Sequence, residues 1–261
     1  MITSLSVNRG GLGRTGNQMF TIAGTIGIAL KNGQPFGFPE WINKDAELFG
    51  GTADRMSDYF VNPLPELIEG LHYQDIPYHW EYRDYNIQTG NWNIRSHLQD
   101  PRYFENCMPL IRHYFRMKDE PEQNEYIALH YRAGDYIDNP DAYHPRCSPE
   151  YYREAMKQFY LMGCKFLVFT DSEMDWVRVQ DQIGLPKGVD IQVASRRMNY
   201  IEHFRLMKRC KHFITANSSF SLFAAILGEH PEKKIICPKR WFGTAAGGME
   251  FYGYPKDSII L

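Results

Sequence analysis

The chain has 261 residues, 43% hydrophobic and 23% charged, with a formal net charge of −2. This composition is that of a globular protein and excludes global disorder, and the near-neutral charge excludes a broad nucleic-acid surface. The length fits one large domain or two modest ones. Aromatics reach 15%, which suits well-filled cores or stacking on sugar rings and bases. Cys107, Cys147, Cys164, Cys210 and Cys237 are odd in number and form no C-x-x-C pair. Reduced, mostly buried thiols are expected, not a zinc knuckle or a disulfide framework. The opening MITSLSVNRG has no basic start followed by an apolar run, and no apolar run approaches the roughly 20 residues of a membrane helix. A cytoplasmic protein without a membrane span is the expectation.

In chain order, Met1–Val7 reads as a short strand and Gly10–Gly16 as a glycine-rich turn. Asn17–Lys31 reads as a helix with Met19, Ile22, Ala23, Ile26, Ala29 and Leu30 at helical spacing, closed by Asn32-Gly33. Strand, glycine turn and helix together open a Rossmann-like unit. Residues 34–93 are punctuated by proline and read as short strands and loops. Tyr103–Met117 reads as a helix. The charged, proline-broken KDEPEQ stretch (Lys118–Gln123) marks a domain boundary. It separates residues 1–120 from residues 121–261.

The second half alternates strands and helices. Strands are expected at Glu125–Tyr131, Lys165–Thr170, Asp190–Val193, His212–Thr215 and Lys234–Cys237. Helices are expected at Pro149–Leu161 behind a Ser148 cap, Trp176–Ile183, Tyr200–Cys210 and Phe220–Leu227. This alternation implies a parallel sheet covered on both faces.

Ligands of parallel α/β sheets bind at the carboxyl ends of strands, where three segments fall. His130-Tyr131-Arg132-Ala133-Gly134-Asp135-Tyr136 follows an apolar strand. A guanidinium there grips phosphate through parallel hydrogen bonds, Gly134 permits a sharp turn or close approach, and Asp135 can orient Arg132 or accept from a sugar hydroxyl. The ordinary alternative is a surface ion pair on a turn. Asp171, in Phe169-Thr170-Asp171-Ser172, can accept from a ligand, or it or Ser172 can cap the next helix. Asn217, Ser218, Ser219 and Phe220 open a helix whose free N–H groups suit an anion, with plain capping as the alternative. A fourth segment, Gly10 to Gln18, opens the first helix and is a weaker glycine-loop signal. No D-x-D triplet or H-x-x-x-H pair occurs, so no metal is expected.

Together these segments resemble the α-1,2-fucosyltransferase family, glycosyltransferase family 11. Gly16-Asn17-Gln18-Met19-Phe20 matches the core of its G-x-L-G-N-Q-M-F opening, and residues 130–136 match H-x-R-R-G-D-Y except at Ala133. Asn217–Ala225 matches N-S-S-F-S-W-W-A-A with Leu222 and Phe223 for the tryptophans, and Gln99–Phe104 is similar to Q-S-x-K-Y-F. The resemblance implies a GT-B-like α/β fold, two Rossmann-like domains facing a cleft, with residues 1–120 the acceptor side and residues 121–261 the donor domain. It implies inverting, metal-independent transfer of L-fucose from GDP-fucose to a glycan hydroxyl such as O2 of galactose, with no cofactor. It places Arg132 on the donor β-phosphate as the catalytic group and Ser218 and Ser219 on the same diphosphate. His130, Asp135, Asp171, Asn217 and Phe220 complete the donor site, and Gly16, Asn17 and Gln18 lie at the cleft.

Two departures bear on the donor. Ala133 lacks the motif's second guanidinium, for which Arg196, Arg197 and Arg14 are candidate substitutes. The acidic residue expected to read guanine falls on His203, with Glu202 beside it as a substitute. A different nucleotide sugar, or a degenerate transferase that binds nucleotide or glycan without turnover, stay open as alternatives. Asp138, Asp141 and His144 are candidate bases, each also readable as a solvated loop residue. Acceptor choice is expected in loops around Trp41, Trp80 and Trp92. The expected partners are a nucleotide sugar and a glycan acceptor, with peripheral contact to lipid-linked glycans and the oligomeric state left open.

Overall fold

The computed structural model describes residues 1–9, 13–44, 52–68, 70–136, 138–160, 163, 165–185 and 187–261. Gly10, Gly11 and Leu12 of the glycine loop, Leu161 at an expected helix end, and Cys164 lie outside them. The chain divides into two compact units, Met1–Asp119 and Glu120–Leu261. Among the described residues no helix is long and apolar enough to cross a membrane.

The first unit contains β1 (Ile2–Thr3), α1 (Ser6–Arg9), α2 (Thr15–Lys31), β2 (Ile42–Asn43), β3 (Asp54–Arg55), β4 (Gln74–Ile76), β5 (Trp92–Ile94) and α3 (Met108–Tyr114). Its main sheet is parallel, in the order β1-β5-β4, and β2 pairs with β3 as a separate antiparallel ribbon. The expected strand over Met1–Val7 is cut short at Thr3. Ser4 donates its hydroxyl to the Ile94 carbonyl at 2.9 Å and Leu5 N–H bonds Asn93 Oδ1 at 2.9 Å. Side chains and strand ends thus take the groups a longer ladder would need, and the chain turns into α1.

The long helix α2 is buried along most of its length. A Cβ on Gly27 would lie 1.9 Å from the Tyr103 carbonyl oxygen, so only glycine lets that segment pack so closely. The helix ends at Gly33 in the left-handed region (φ +61°). The helix expected over Tyr103–Met117 is broken into 3-10 turns at Pro101–Tyr103 and Glu105–Cys107 before α3 begins. Pro109 sits in the first turn of α3, where its missing N–H is tolerated, whereas mid-helix it would break the ladder.

The second unit contains β6 (Ile127–Tyr131), α4 (Pro149–Lys157), β7 (Phe166–Thr170), α5 (Glu173–Ile183), β8 (Ile191–Val193), α6 (Tyr200–Met207), β9 (His212–Ile214), α7 (Ser219–Leu227), β10 (Ile235–Cys237) and β11 (Ile259–Ile260). They form a six-stranded sheet ordered β8-β7-β6-β9-β10-β11, with every pairing parallel. All of β6 and most of β7 are buried, as expected of strands covered on both faces. Ile127, Leu129, Tyr131, Phe166, Val168 and Trp176 join Tyr152, Ala155 and Phe159 in the main core. Ser148 caps α4 by accepting from Tyr151 N–H. In order of appearance the strands run 3-2-1-4-5-6, which reverses direction between β6 and β9. Such a reversal leaves a crevice at the carboxyl ends of those strands, the usual ligand site of open α/β sheets.

Candidate active site

Three segments singled out in the sequence converge at that reversal. His130 and Tyr131 end β6 and Arg132 follows. Thr170 ends the adjacent β7, in register with Tyr131, so Asp171 emerges beside Arg132. Across the reversal, β9 ends at Ile214 and leads through Asn217 and Ser218 into α7.

Arg132 is largely buried and held by two carboxylates. Its guanidinium meets Asp171 Oδ2 at 2.6 Å and Asp135 Oδ1 at 2.5 Å, and lies 5.5 Å from the centroid of the Tyr136 ring, within cation–π range. Asp171 also accepts the Ala133 N–H through Oδ1 at 2.8 Å, so it is fixed by charge and by backbone. Gly134 makes this approach feasible, since a Cβ there would sit 2.5 Å from Asp171 Oδ2. Of the two capping alternatives, Ser172 caps α5 by accepting from Asp175 N–H, which leaves Asp171 to Arg132. Asp135 is the more exposed carboxylate.

His130 is buried, and its Nδ1 has no hydrogen-bond partner. Burial pushes its pKa well below the usual histidine value, with the Arg132 charge adding to the effect and Asp171 opposing it. The ring is therefore neutral at pH 7 and offers one donor and one acceptor nitrogen. It lies 6.1 Å from the Phe220 ring in the first turn of α7. Ser218, at the cap position, makes no side-chain cap bond, and a helix N-terminus at the carboxyl end of a strand is a general anion site. Ser219 stands at the first helical position. Asn217 has a different task. Its amide donates to the carbonyls of Pro145 and Trp241, both at 2.9 Å, and so ties the loop that carries the serines to its neighbours.

Three participating side chains had no role assigned from sequence. Tyr136 donates its hydroxyl to the Asn217 carbonyl at 2.9 Å, joining the post-β6 loop to the post-β9 loop. Arg146 donates Nε to the Tyr136 carbonyl at 2.9 Å and pairs with Asp175 at 3.4 Å. Phe242 packs against Tyr143 and His144. The final tyrosine of the 130–136 motif was a visible signal, whereas Arg146 and Phe242 carried none. The base candidates separate clearly. Asp141 accepts from Thr244 Oγ1 at 3.0 Å, Asp138 is exposed, and His144 stacks on Tyr136 at 5.2 Å. Burial lowers the His144 pKa, with Asp135 opposing and Arg132 assisting.

The two departures occupy different surroundings. The Ala133 methyl is buried within the main core, so this position faces inward. Arg196 pairs with Glu173 at 3.1 Å, and Arg197 is exposed. Glu202 closes a capping box at the start of α6, accepting from Asn199 N–H at 2.7 Å. Its carboxylate is engaged there. His203 Nε2 meets the Ser195 carbonyl at 3.1 Å, with its ring 5.8 Å from Phe169. A carbonyl accepts, so Nε2 is the donating nitrogen of this contact.

The remaining candidates lie in the first unit. Gly16 is buried in the first turn of α2. Asn17 Oδ1 accepts from Gln99 Nε2 at 2.6 Å, so two motif fragments meet there. Gln18 accepts the Trp41 indole N–H at 2.8 Å. Trp41 stacks on Phe60 with centroids 5.2 Å apart and is 5% exposed. Its ring is packed in the core of the first unit. Arg14 sits at the α2 cap position. Among the described residues no three His, Cys, Asp or Glu side chains gather as a metal-binding group.

Comparison with known proteins adds independent findings. The profile of Glycosyl transferase family 11 matches residues 71–241. The O-antigen biosynthesis glycosyltransferase WbnK of Escherichia coli is 29% identical over 124 residues, 46% of this chain and 40% of that protein. The Alpha-1,2-colitosyltransferase of Escherichia coli is 26% identical over 160 residues, 55% of this chain and 54% of that protein. The chain thus spans about half the length of the curated relatives it matches. The crystal structure of fucosyltransferase NodZ from Bradyrhizobium aligns at a TM-score of 0.48 and 14% identity, covering 87% of this chain and 93% of that one.

Proposed function

The chain belongs to glycosyl transferase family 11, and on that premise we propose that it transfers L-fucose from GDP-fucose to a glycan hydroxyl, O2 of galactose, with inversion and without a metal ion. The observation that carries this reading is Arg132 at the strand-order reversal, held by Asp135 and Asp171 beside the uncapped start of α7. In the reaction the acceptor oxygen bonds to the anomeric carbon on the face opposite the diphosphate. The bond from that carbon to the β-phosphate oxygen breaks, and its electron pair leaves with GDP. The acceptor proton passes to solvent or to a loop base. Arg132 and the α7 N–H groups neutralise charge on the departing phosphate, the preorganised stabilisation that supplies most of the acceleration in such sites. Asp171 positions the guanidinium, and Asp135 yields its place to phosphate. His203, and not Glu202, is the side chain assigned to the edge of the base, since Glu202 is engaged in capping.

Arg132→Ala tests this. Loss of one such donor costs about 3 kcal/mol, on the order of a hundredfold in turnover. Activity close to the parent's with an unchanged fold would remove Arg132 from the chemistry. A second reading, transfer of colitose, is favoured by the match to the Alpha-1,2-colitosyltransferase. Hydrolysis assays with the two sugar nucleotides side by side separate the readings.

A further inference from the structure

In the second unit the ladder between β6 and β9 ends at the pair Leu129 and Ile214, whereas the ladder between β6 and β7 runs on to Tyr131 and Thr170. Arg132 is therefore held in register with Asp171, but among the described residues it has no backbone pairing to the turn that carries Ser218 and Ser219. A side chain supplies that link. Tyr136 donates its hydroxyl to the Asn217 carbonyl at 2.9 Å, and Asn217 directly precedes the two serines. We propose that Tyr136 is a positioning residue: it sets the spacing between Arg132 and the serine turn, so that both meet the β-phosphate of the donor together. The inference rests on the reading of this crevice as the donor diphosphate site.

Tyr136 is held at its base as well as at its tip. Its N–H donates to the Ala133 carbonyl at 2.9 Å, and its own carbonyl accepts from Arg146 Nε at 2.9 Å. Arg146 is anchored in turn by Asp175 in the first turn of α5. The ring stacks on His144, with centroids 5.2 Å apart and planes 19° from parallel, and its centroid lies 5.5 Å from the Arg132 guanidinium. A tyrosine side chain has two torsions, so a ring fixed at both ends transmits position with little slack.

Packing alone does not call for the hydroxyl. A phenylalanine would stack on His144 and face Arg132 in the same way. The polar tip is needed where it ends, on the backbone of the neighbouring loop. That loop is itself anchored, because the Asn217 amide donates to the Pro145 and Trp241 carbonyls. A displacement of about 1 Å in a site can cost about a hundredfold in rate. The Tyr136 strut limits such drift between two phosphate-binding elements that follow different strands.

The test is calorimetric titration of the full chain and of its Tyr136→Phe variant with GDP and GMP in EDTA. GMP lacks the β-phosphate and reports the rest of the nucleotide site. Tyr136→Phe should weaken GDP binding by about tenfold and leave GMP binding unchanged. Tyr126→Phe, which removes a tyrosine hydroxyl bond to Gln192 at the amino end of β6, should change neither. Equal GDP affinity in the parent and Tyr136→Phe overturns the proposal. So does an equal loss on GDP and GMP, the mark of a general loosening of the fold. The donor reading fails separately. If the parent prefers UDP or ADP, the guanine assignment falls, and the same comparison of diphosphate with monophosphate tests Tyr136 on that base. A parent that binds no nucleotide refutes both.

Discussion

Replacing Asp171 by alanine removes two interactions of different worth. The first is the hydrogen bond from the Ala133 N–H at 2.8 Å. Ala133 is fully buried, so its N–H would be left without a partner, and a bond to a charged acceptor is worth about 1.5–3 kcal/mol. The second is the ion pair with Arg132, whose partners are 20% and 27% exposed. Solvent screening limits it to about 1 kcal/mol. The sum is about 2.5–4 kcal/mol, a fall in melting temperature on the order of 10 °C for a domain of this size. Asp171→Asn keeps an oxygen acceptor for Ala133 and gives up only the charge, so it should cost about 1 kcal/mol. Circular-dichroism melts of the three proteins check the ordering. If the alanine and asparagine variants melt together, or the alanine variant melts with the parent, Asp171 does not organise the loop after β6 as described.

Gly134→Ala places a Cβ 2.5 Å from Asp171 Oδ2. The carboxylate must move, and loss of its aim on Arg132 should lower turnover by about tenfold, read in a coupled GDP-release assay. Lys208 is buried in the second unit and pairs with Glu120. Glu120→Ala removes the charged acceptor of that buried ammonium, at a cost of about 1.5–3 kcal/mol in a denaturant titration. His212 is fully buried, and its pKa is pushed down to about 4 by burial and then by Lys211 and Lys234, while Glu125 opposes. A depressed folded-state value means that the unfolded chain binds the proton more tightly. The stability contribution is intact above about pH 6.5 and should decline progressively from there to about pH 4. His212→Phe should flatten that part of the stability profile.

The two units differ in how plainly their sequences declare them. In the second, β6 and β7 are continuous apolar runs because both faces of a parallel strand are covered. The helices α4 and α5 begin at serine caps. Those signals are local, so periodicity recovers them. β11 escaped because two residues after Ser258 carry no period, and only pairing with β10 makes them a strand. In the first unit the strands span two or three residues, and β1 finds its partner in β5 some 90 residues later, an arrangement that no short window contains.

The site follows the same division. Residue type and position after a strand pointed to Arg132, Asp135 and Asp171 as a set. The engagement of Glu202 in a capping box, the inward-facing Ala133 and the core packing of Trp41 depend on neighbours that the sequence does not place.

The most direct measurement is calorimetric titration of the parent and of Arg132→Ala with GDP, UDP and ADP in the presence of EDTA. The account expects selective GDP binding by the parent without metal, weakened by about a hundredfold in the variant. Preference for another nucleotide, a requirement for divalent cation, or equal GDP affinity in the two proteins would contradict it.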